Sequence, residues 1–100
     1  MAITGLTKTV STASTAVQLS ANVIHARKIV LQAKKVGGDN TGNVFIGPAG
    51  LDQGVLEYVE LRPGDYWEFE VNKGEPFLLS DLYLDADTSG DGVVGFYIPA

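Results

Sequence analysis

Residues 61–71, LRPGDYWEFEV, decide the fold class of this 100-residue chain. The Pro-Gly pair predicts a turn, because proline fixes φ near the value that the second residue of a turn requires and glycine accepts a positive φ after it. The residues that follow alternate in polarity, so Trp67 and Phe69 point to one side and the glutamates beside them to the other. This pattern predicts a half-buried antiparallel strand with one face in water.

Short alternating segments separated by turn residues recur on both sides of this stretch. Residues 27–34, RKIVLQAK, and residues 44–47, VFIG, are predicted strands, and the intervening GGDNTGN cluster at 37–43 is a turn signal. No segment sustains a helical stripe over ten residues. About eight such strands predict an all-β fold, an antiparallel β-sandwich or jelly-roll-like single domain.

Domain limits and core follow from the same periodicity. Residues 1–6 lack it and are predicted to form a flexible N-terminal arm, ahead of a β-sandwich domain at residues 7–100. Six apolar side chains are predicted to lie in the core: Val17, Ile29, Leu31, Trp67, Phe69 and Val71.

Composition restricts the classes of function. The chain has no cysteine, which excludes disulfides and thiolate metal sites. Its first residues do not show the basic and apolar regions of a secretory signal, and no apolar run approaches the ~20 residues that span a bilayer. We therefore expect a soluble protein made in the cytoplasm, with no membrane partner.

Charge is unevenly distributed along the chain. Residues 1–50 carry five basic residues and one acid, a net +4, whereas residues 51–100 carry two basic residues and eleven acids, a net −9. The overall charge of −5 argues against a nucleic-acid partner, since phosphate contacts need clustered Lys and Arg. The asymmetry is explained either by neutralisation within one molecule or by complementarity between neighbouring copies.

Residues 85–92, DADTSGDG, resemble the start of a calcium loop, with oxygen ligands at alternate positions and glycine at the sixth. The twelfth position is Phe96, where such a loop needs a bidentate glutamate, and no helix is predicted on either side. We therefore expect a polar turn between strands, without a metal or other cofactor.

Other side chains offer little catalytic chemistry. His25 is the only histidine and has no local partner for a triad, and Glu68 and Glu70 share a solvated strand face rather than a cleft. Five aromatic residues could form a sugar-stacking platform: Tyr58, Tyr66, Trp67, Tyr83 and Tyr97. The other interpretation places Trp67 in the core and the tyrosines at the rim of the sandwich or of an interface. The chain is not predicted to be an enzyme.

Residues 55–61, VLEYVEL, are predicted to form a strand that is apolar on both faces, with Leu56 and Tyr58 opposite Val59 and Leu61. A small sandwich uses one such face for its core and leaves the other exposed. Leu56 and Tyr58 are therefore the predicted self-association surface.

Taken together, these segments resemble a known class of protein. The phrases TAVQL (15–19), IVLQA (29–33), NTGNVFIG (40–47), LRPGD (61–65) and LYLDADTSGDGV (82–93) are similar to the small β-sandwich structural proteins of tailed bacteriophages, including capsid decoration (cement) proteins. Residues 34–39 and 75–79 depart from the pattern and are candidate partner contacts.

The resemblance implies a non-enzymatic virion protein that binds and stabilises the assembled head. Its expected partner is the major capsid protein or another virion protein, its expected assembly a homotrimer, and its location the virion after synthesis in the host cytoplasm. Two alternatives remain open from the sequence: a tail or fibre-base virion component, and a carbohydrate-binding β-sandwich module.

Overall fold

The computed structural model describes residues 3–34, 41–71 and 74–100, and these form an antiparallel β-sandwich. The strands are β1 (Thr4–Thr9), β2 (Val17–Gln18), β3 (His25–Ala33), β4 (Val44–Gly47), β5 (Val59–Leu61), β6 (Tyr66–Glu70), β7 (Phe77–Leu78), β8 (Tyr83–Ala86) and β9 (Gly92–Pro99). A 3₁₀ turn at Leu79–Asp81 follows β7. The predicted all-β class is confirmed.

Two sheets make up the sandwich. The first has the order β1-β9-β3-β6, with β7 also paired to β3, and the second has the order β2-β8-β4-β5. The halves of the chain therefore alternate within each sheet. One result is the ion pair between Lys28 of β3 and Glu68 of β6, whose Nζ and Oε2 atoms lie 3.6 Å apart, so part of the charge asymmetry is neutralised within one molecule.

Part of the predicted N-terminal arm belongs to a strand. Thr4 pairs with Tyr97, and the ladder between β1 and β9 continues to Thr9 opposite Gly92. The predicted domain boundary at residue 7 is therefore wrong, because residues 4–6 belong to the sheet. Their Thr-Gly-Leu sequence has too few apolar positions to reveal an edge strand by alternation alone.

The core lies between the sheets and contains side chains from both. Ile29 and Leu31 are fully buried, as predicted, while Val17 and Trp67 are only partly buried against the core. Phe69 was predicted to be buried but is 43% exposed, and Val71 lies beyond the end of β6 and is half-buried. The alternation therefore assigns the correct face of β6, but the second sheet does not cover that face along its whole length.

The predicted strand at residues 55–61 is also wrong in its first half. Only Val59–Leu61 forms a strand. A tight turn precedes it, in which the amides of Val55 and Leu56 both donate to the carbonyl of Asp52. Leu56 is therefore on a turn rather than opposite Leu61 in a strand.

The turn belongs to a loop that approaches the outer side of the second sheet. Leu51 is buried and lies close to Gly47, and the side chain of Gln53 donates to the carbonyl of Ala86. Phe45 is buried apart from the main core. The loop thus adds a small second layer outside β4 and β8.

Candidate binding groove

An apolar groove opens between the two sheets at the edge formed by β5 and β6. Each of these strands is the last in its sheet, and the turn at residues 62–65 joins them. The groove has a volume of about 490 Å³, and its lining is Tyr58, Trp67, Phe69, Phe77, Leu78, Asp81 and Leu82. It is an incompletely closed end of the sandwich core.

Three aromatic rings form a continuous wall of this groove. Trp67 and Phe69 are two residues apart on β6, and their rings are stacked with centroids 6.1 Å apart and planes inclined by 10°. The ring of Phe77 meets Phe69 edge-on, with centroids 5.0 Å apart. Such contacts hold aromatic side chains in place, so the wall is preformed.

The position of Phe77 depends on β3, which pairs with β6 and β7 along successive segments of one edge. Residues 28–32 pair with β6, and Ala26 pairs with Phe77. An irregularity in the pairing of β3 with β9 lies between Ala26 and Lys28. The 3₁₀ turn after β7 then buries Leu79 and places Asp81 at the groove.

Titratable groups lie at one end of the groove, in a second depression of about 470 Å³. His25, Glu75 and Asp81 line it together with apolar residues that include Phe77 and Leu78, which are shared with the groove. All three titratable side chains are exposed. The apolar groove therefore ends in an acidic, solvated rim.

Comparison with protein-family models, curated proteins and solved structures gives no match to this chain. In the parts of the chain that the structure covers, no group of three or more His, Cys, Asp or Glu side chains is placed to hold a metal ion. No helix in those parts is long and apolar enough to cross a membrane.

The structure separates the two residues of the predicted self-association surface. Tyr58 is 58% exposed and lines the groove, whereas Leu56 is 45% exposed, does not line the groove and lies near Gly50. Val55, next to Leu56, is 79% exposed. The groove and the tip of the turn at residues 52–56 are thus two separate exposed apolar features.

The predicted aromatic platform is likewise divided. Only Tyr58 and Trp67 reach the groove. Tyr66 is 67% exposed on the other face of β6, and Tyr97 packs against the core. Tyr83 is half-buried on β8. Sequence reasoning did not identify the contribution of Phe77, although the apolar run at residues 77–79 was an available signal.

The candidate partner contact at residues 34–39 lies outside the described residues apart from Lys34.

In the loop predicted to be a polar turn, the last aspartate has a structural role. Asp91 is 3% exposed, and its carboxylate accepts hydrogen bonds from the amides of Thr41 and Gly42, the shortest of them 2.9 Å long. Asp85 is also buried and accepts from the amide of Ala86. The Asp91 carboxylate thus connects this loop to the segment that leads into β4.

We expect Asp91→Ala to reduce the free energy of unfolding by about 1–3 kcal/mol, because it leaves the amides of Thr41 and Gly42 without their acceptor. Asp87→Ala is the matched control, since Asp87 is exposed in the same loop, and its effect should stay within about 0.5 kcal/mol. Urea denaturation measures both. Equal losses, or a melting temperature of the wild-type protein that rises strongly with Ca²⁺, would contradict a structural role without metal.

Proposed function

We propose that this chain is a non-enzymatic virion protein of a tailed bacteriophage, a capsid decoration protein that binds the assembled head through the apolar groove. The observation that carries the proposal is the preformed aromatic wall of Trp67, Phe69 and Phe77, left open to solvent at one edge of a rigid sandwich. Apolar area of this kind is characteristic of a surface that binds a partner. The likeness of the chain to small virion proteins supplies the class of partner.

The surroundings of the groove favour binding over catalysis. Its walls are aromatic and aliphatic, with Asp81 as the only titratable side chain apart from Tyr58 among the lining residues. The other acid and the histidine at the rim are exposed. A small rigid domain that adds interface area between capsid subunits stabilises the shell without any chemical step.

The capsid proposal is tested by co-sedimentation with purified heads of the phage that encodes the chain. We expect the wild-type protein to sediment with expanded heads and Tyr58→Asp to lose at least about tenfold in affinity, since a charge would then be buried at the groove. Tyr66→Asp is the matched control, because Tyr66 is similarly exposed but lies on the face of β6 that points away from the groove. Absence of wild-type binding to heads, or equal losses in both variants, would contradict the proposal.

We further propose that the protein forms homotrimers through the tip of the turn at residues 52–56. Val55 and Leu56 are exposed there and do not line the groove, so the contact can form while the groove stays accessible. We expect light scattering to show a trimer for the wild-type protein and for Tyr58→Asp, and a monomer for Leu56→Asp. A wild-type protein that is monomeric at tens of micromolar would contradict the proposed homotrimer, and it would leave the capsid test unaffected.

A carbohydrate-binding module is the second candidate, and the stacked pair of Trp67 and Phe69 is the observation that favours it. Aromatic faces pack against the apolar faces of sugars, and Asp81 at the groove could accept hydrogen bonds from hydroxyl groups. A glycan array separates the two candidates. Binding of a defined glycan that is lost in Phe69→Ala, together with no binding to heads, would replace the decoration role by this one.

A further inference from the structure

One edge of β6, beside the groove, presents backbone hydrogen-bonding groups that no described strand pairs with. The amide of Ala33 donates to the carbonyl of Asp65, and the amide of Val71 donates to the carbonyl of Arg27. The N–H and C=O of one residue in a strand point to the same side, and successive residues alternate. The N–H and C=O groups of the odd-numbered residues from 65 to 71 therefore face β3. The N–H and C=O groups of Tyr66, Glu68 and Glu70 face away from β3.

No strand covers this edge in the described parts of the chain, where β6 pairs with β3 alone. The edge thus presents three N–H and three C=O groups in the spacing that an added strand requires. Such an edge is a template for strand addition, in which backbone hydrogen bonds supply affinity and pockets for alternate side chains supply specificity.

The two faces of β6 determine which side chains an added strand would carry. On the inner face, Trp67 and Phe69 form the groove, which would take an apolar side chain. On the outer face are Glu68 and Glu70, and Lys28 is the cation paired with Glu68 and registered opposite Glu70. Two carboxylates against one ammonium leave negative charge, so a cation on the added strand is favoured there.

We propose that β6 and the groove together bind an extended segment of the partner protein in which basic and apolar residues alternate. The inference rests on the proposed function for the identity of the partner, a virion protein. It adds how that partner binds. Glu75 and Asp81 at the groove end extend the same negative field, with His25 beside them. Charge complementarity therefore points to a basic strand.

The other candidate occupant is β1 of a second copy, which is the opposite edge of the same sheet. That strand carries a single basic residue, Lys8, and its one large apolar side chain, Leu6, already packs against its own core. It lacks both the alternating charge and a free apolar side chain for the groove. A different chain is therefore the better fit.

The test uses the full chain and a synthetic heptapeptide of alternating lysine and leucine, acetylated and amidated at its ends. Trp67 is the only tryptophan and lies in the groove, so its emission reports occupation directly. We expect the peptide to shift Trp67 emission to shorter wavelength. The same peptide with its backbone amides N-methylated keeps its side chains but loses its donors, and it should bind at least about tenfold more weakly.

Glu68→Pro tests the edge from the protein side. Proline is tolerated on an edge strand where the missing N–H faced solvent, and there it removes a donor that an added strand needs. We expect this variant to stay folded by circular dichroism and to bind the peptide at least about tenfold more weakly than Glu68→Ala, the matched control that loses the same carboxylate but keeps the N–H.

Two results with the peptides would overturn the inference: unchanged Trp67 emission with the parent peptide, or equal binding of the N-methylated peptide. A wild-type oligomer that Glu68→Pro dissociates would also overturn it, because the edge would then bind a second copy of the chain. Co-sedimentation with heads separates this inference from the proposed function. Undiminished binding of Glu68→Pro to heads overturns strand addition alone, whereas failure of the wild-type protein to bind heads overturns the decoration role.

Discussion

Gly95→Ala is expected to destabilise the protein by at least about 3 kcal/mol, a large share of the 5–15 kcal/mol that holds a typical domain folded. Gly95 lies on β9, between β1 and β3. A Cβ added there would overlap the carbonyl oxygen of Val30 and lie 3.1 Å from the Cα of Leu31. Because these are backbone atoms of a central strand, the sheet must separate locally to admit the methyl group.

Gly5→Ala is the control for this prediction. Gly5 lies on the neighbouring edge strand β1, and the nearest atom to an added Cβ would be the carbonyl oxygen of Gly95, 3.9 Å away. The methyl group fits without movement, so the change in stability should stay within about 1 kcal/mol. Thermal unfolding should show a midpoint about 12 °C or more lower for Gly95→Ala. Similar midpoints for the two variants would show that the sheet is less tightly paired than described.

Leu31→Ala is expected to cost about 2–5 kcal/mol of unfolding free energy. Leu31 is fully buried on β3, the strand that pairs with β9, β6 and β7. Truncation removes the transfer free energy of the buried methyl groups and leaves a cavity that the surrounding strands cannot fill. Urea denaturation measures the loss. The slope of the unfolding free energy against urea concentration should equal that of the wild-type protein if the fold is unchanged.

Val30→Ala on the same strand is the control for Leu31→Ala. Val30 points to the other side of the sheet and is only partly buried. Its truncation removes less buried area and leaves no enclosed cavity, so the cost should be about 1 kcal/mol or less. A cost for Val30→Ala equal to that of Leu31→Ala would mean that the outer face of this sheet is covered as tightly as the core.

Local sequence rules predicted those elements whose pattern is strong over several residues. The strand at residues 44–47 has the limits predicted for it, and β6 follows the alternation of Trp67 and Phe69 with the glutamates. Weak patterns gave errors: residues 4–6 were assigned to an arm, and residues 55–58 to a strand. In the second case the β-propensity of Val55 and Tyr58 misled, because two backbone hydrogen bonds to Asp52 stabilise a turn there instead.

Of the candidate site, sequence reasoning assigned Tyr58 to an exposed surface and Trp67 to the core, whereas both line the groove. It did not place Phe69 and Phe77 against each other, because they are eight positions apart in the chain and their contact arises only where β6 and β7 pair with successive segments of β3.

The sequence by itself determined the all-β class, the two faces of β6 and the burial of Ile29 and Leu31, because the period of side chains along a strand is a local property of the backbone. Only the tertiary structure decided which apolar face is covered. Phe69 follows the same alternation as Trp67 yet remains 43% exposed, because β5 ends its sheet and no further strand in the described residues lies over that end of β6. The groove is thus a consequence of where one sheet stops, which no local pattern records.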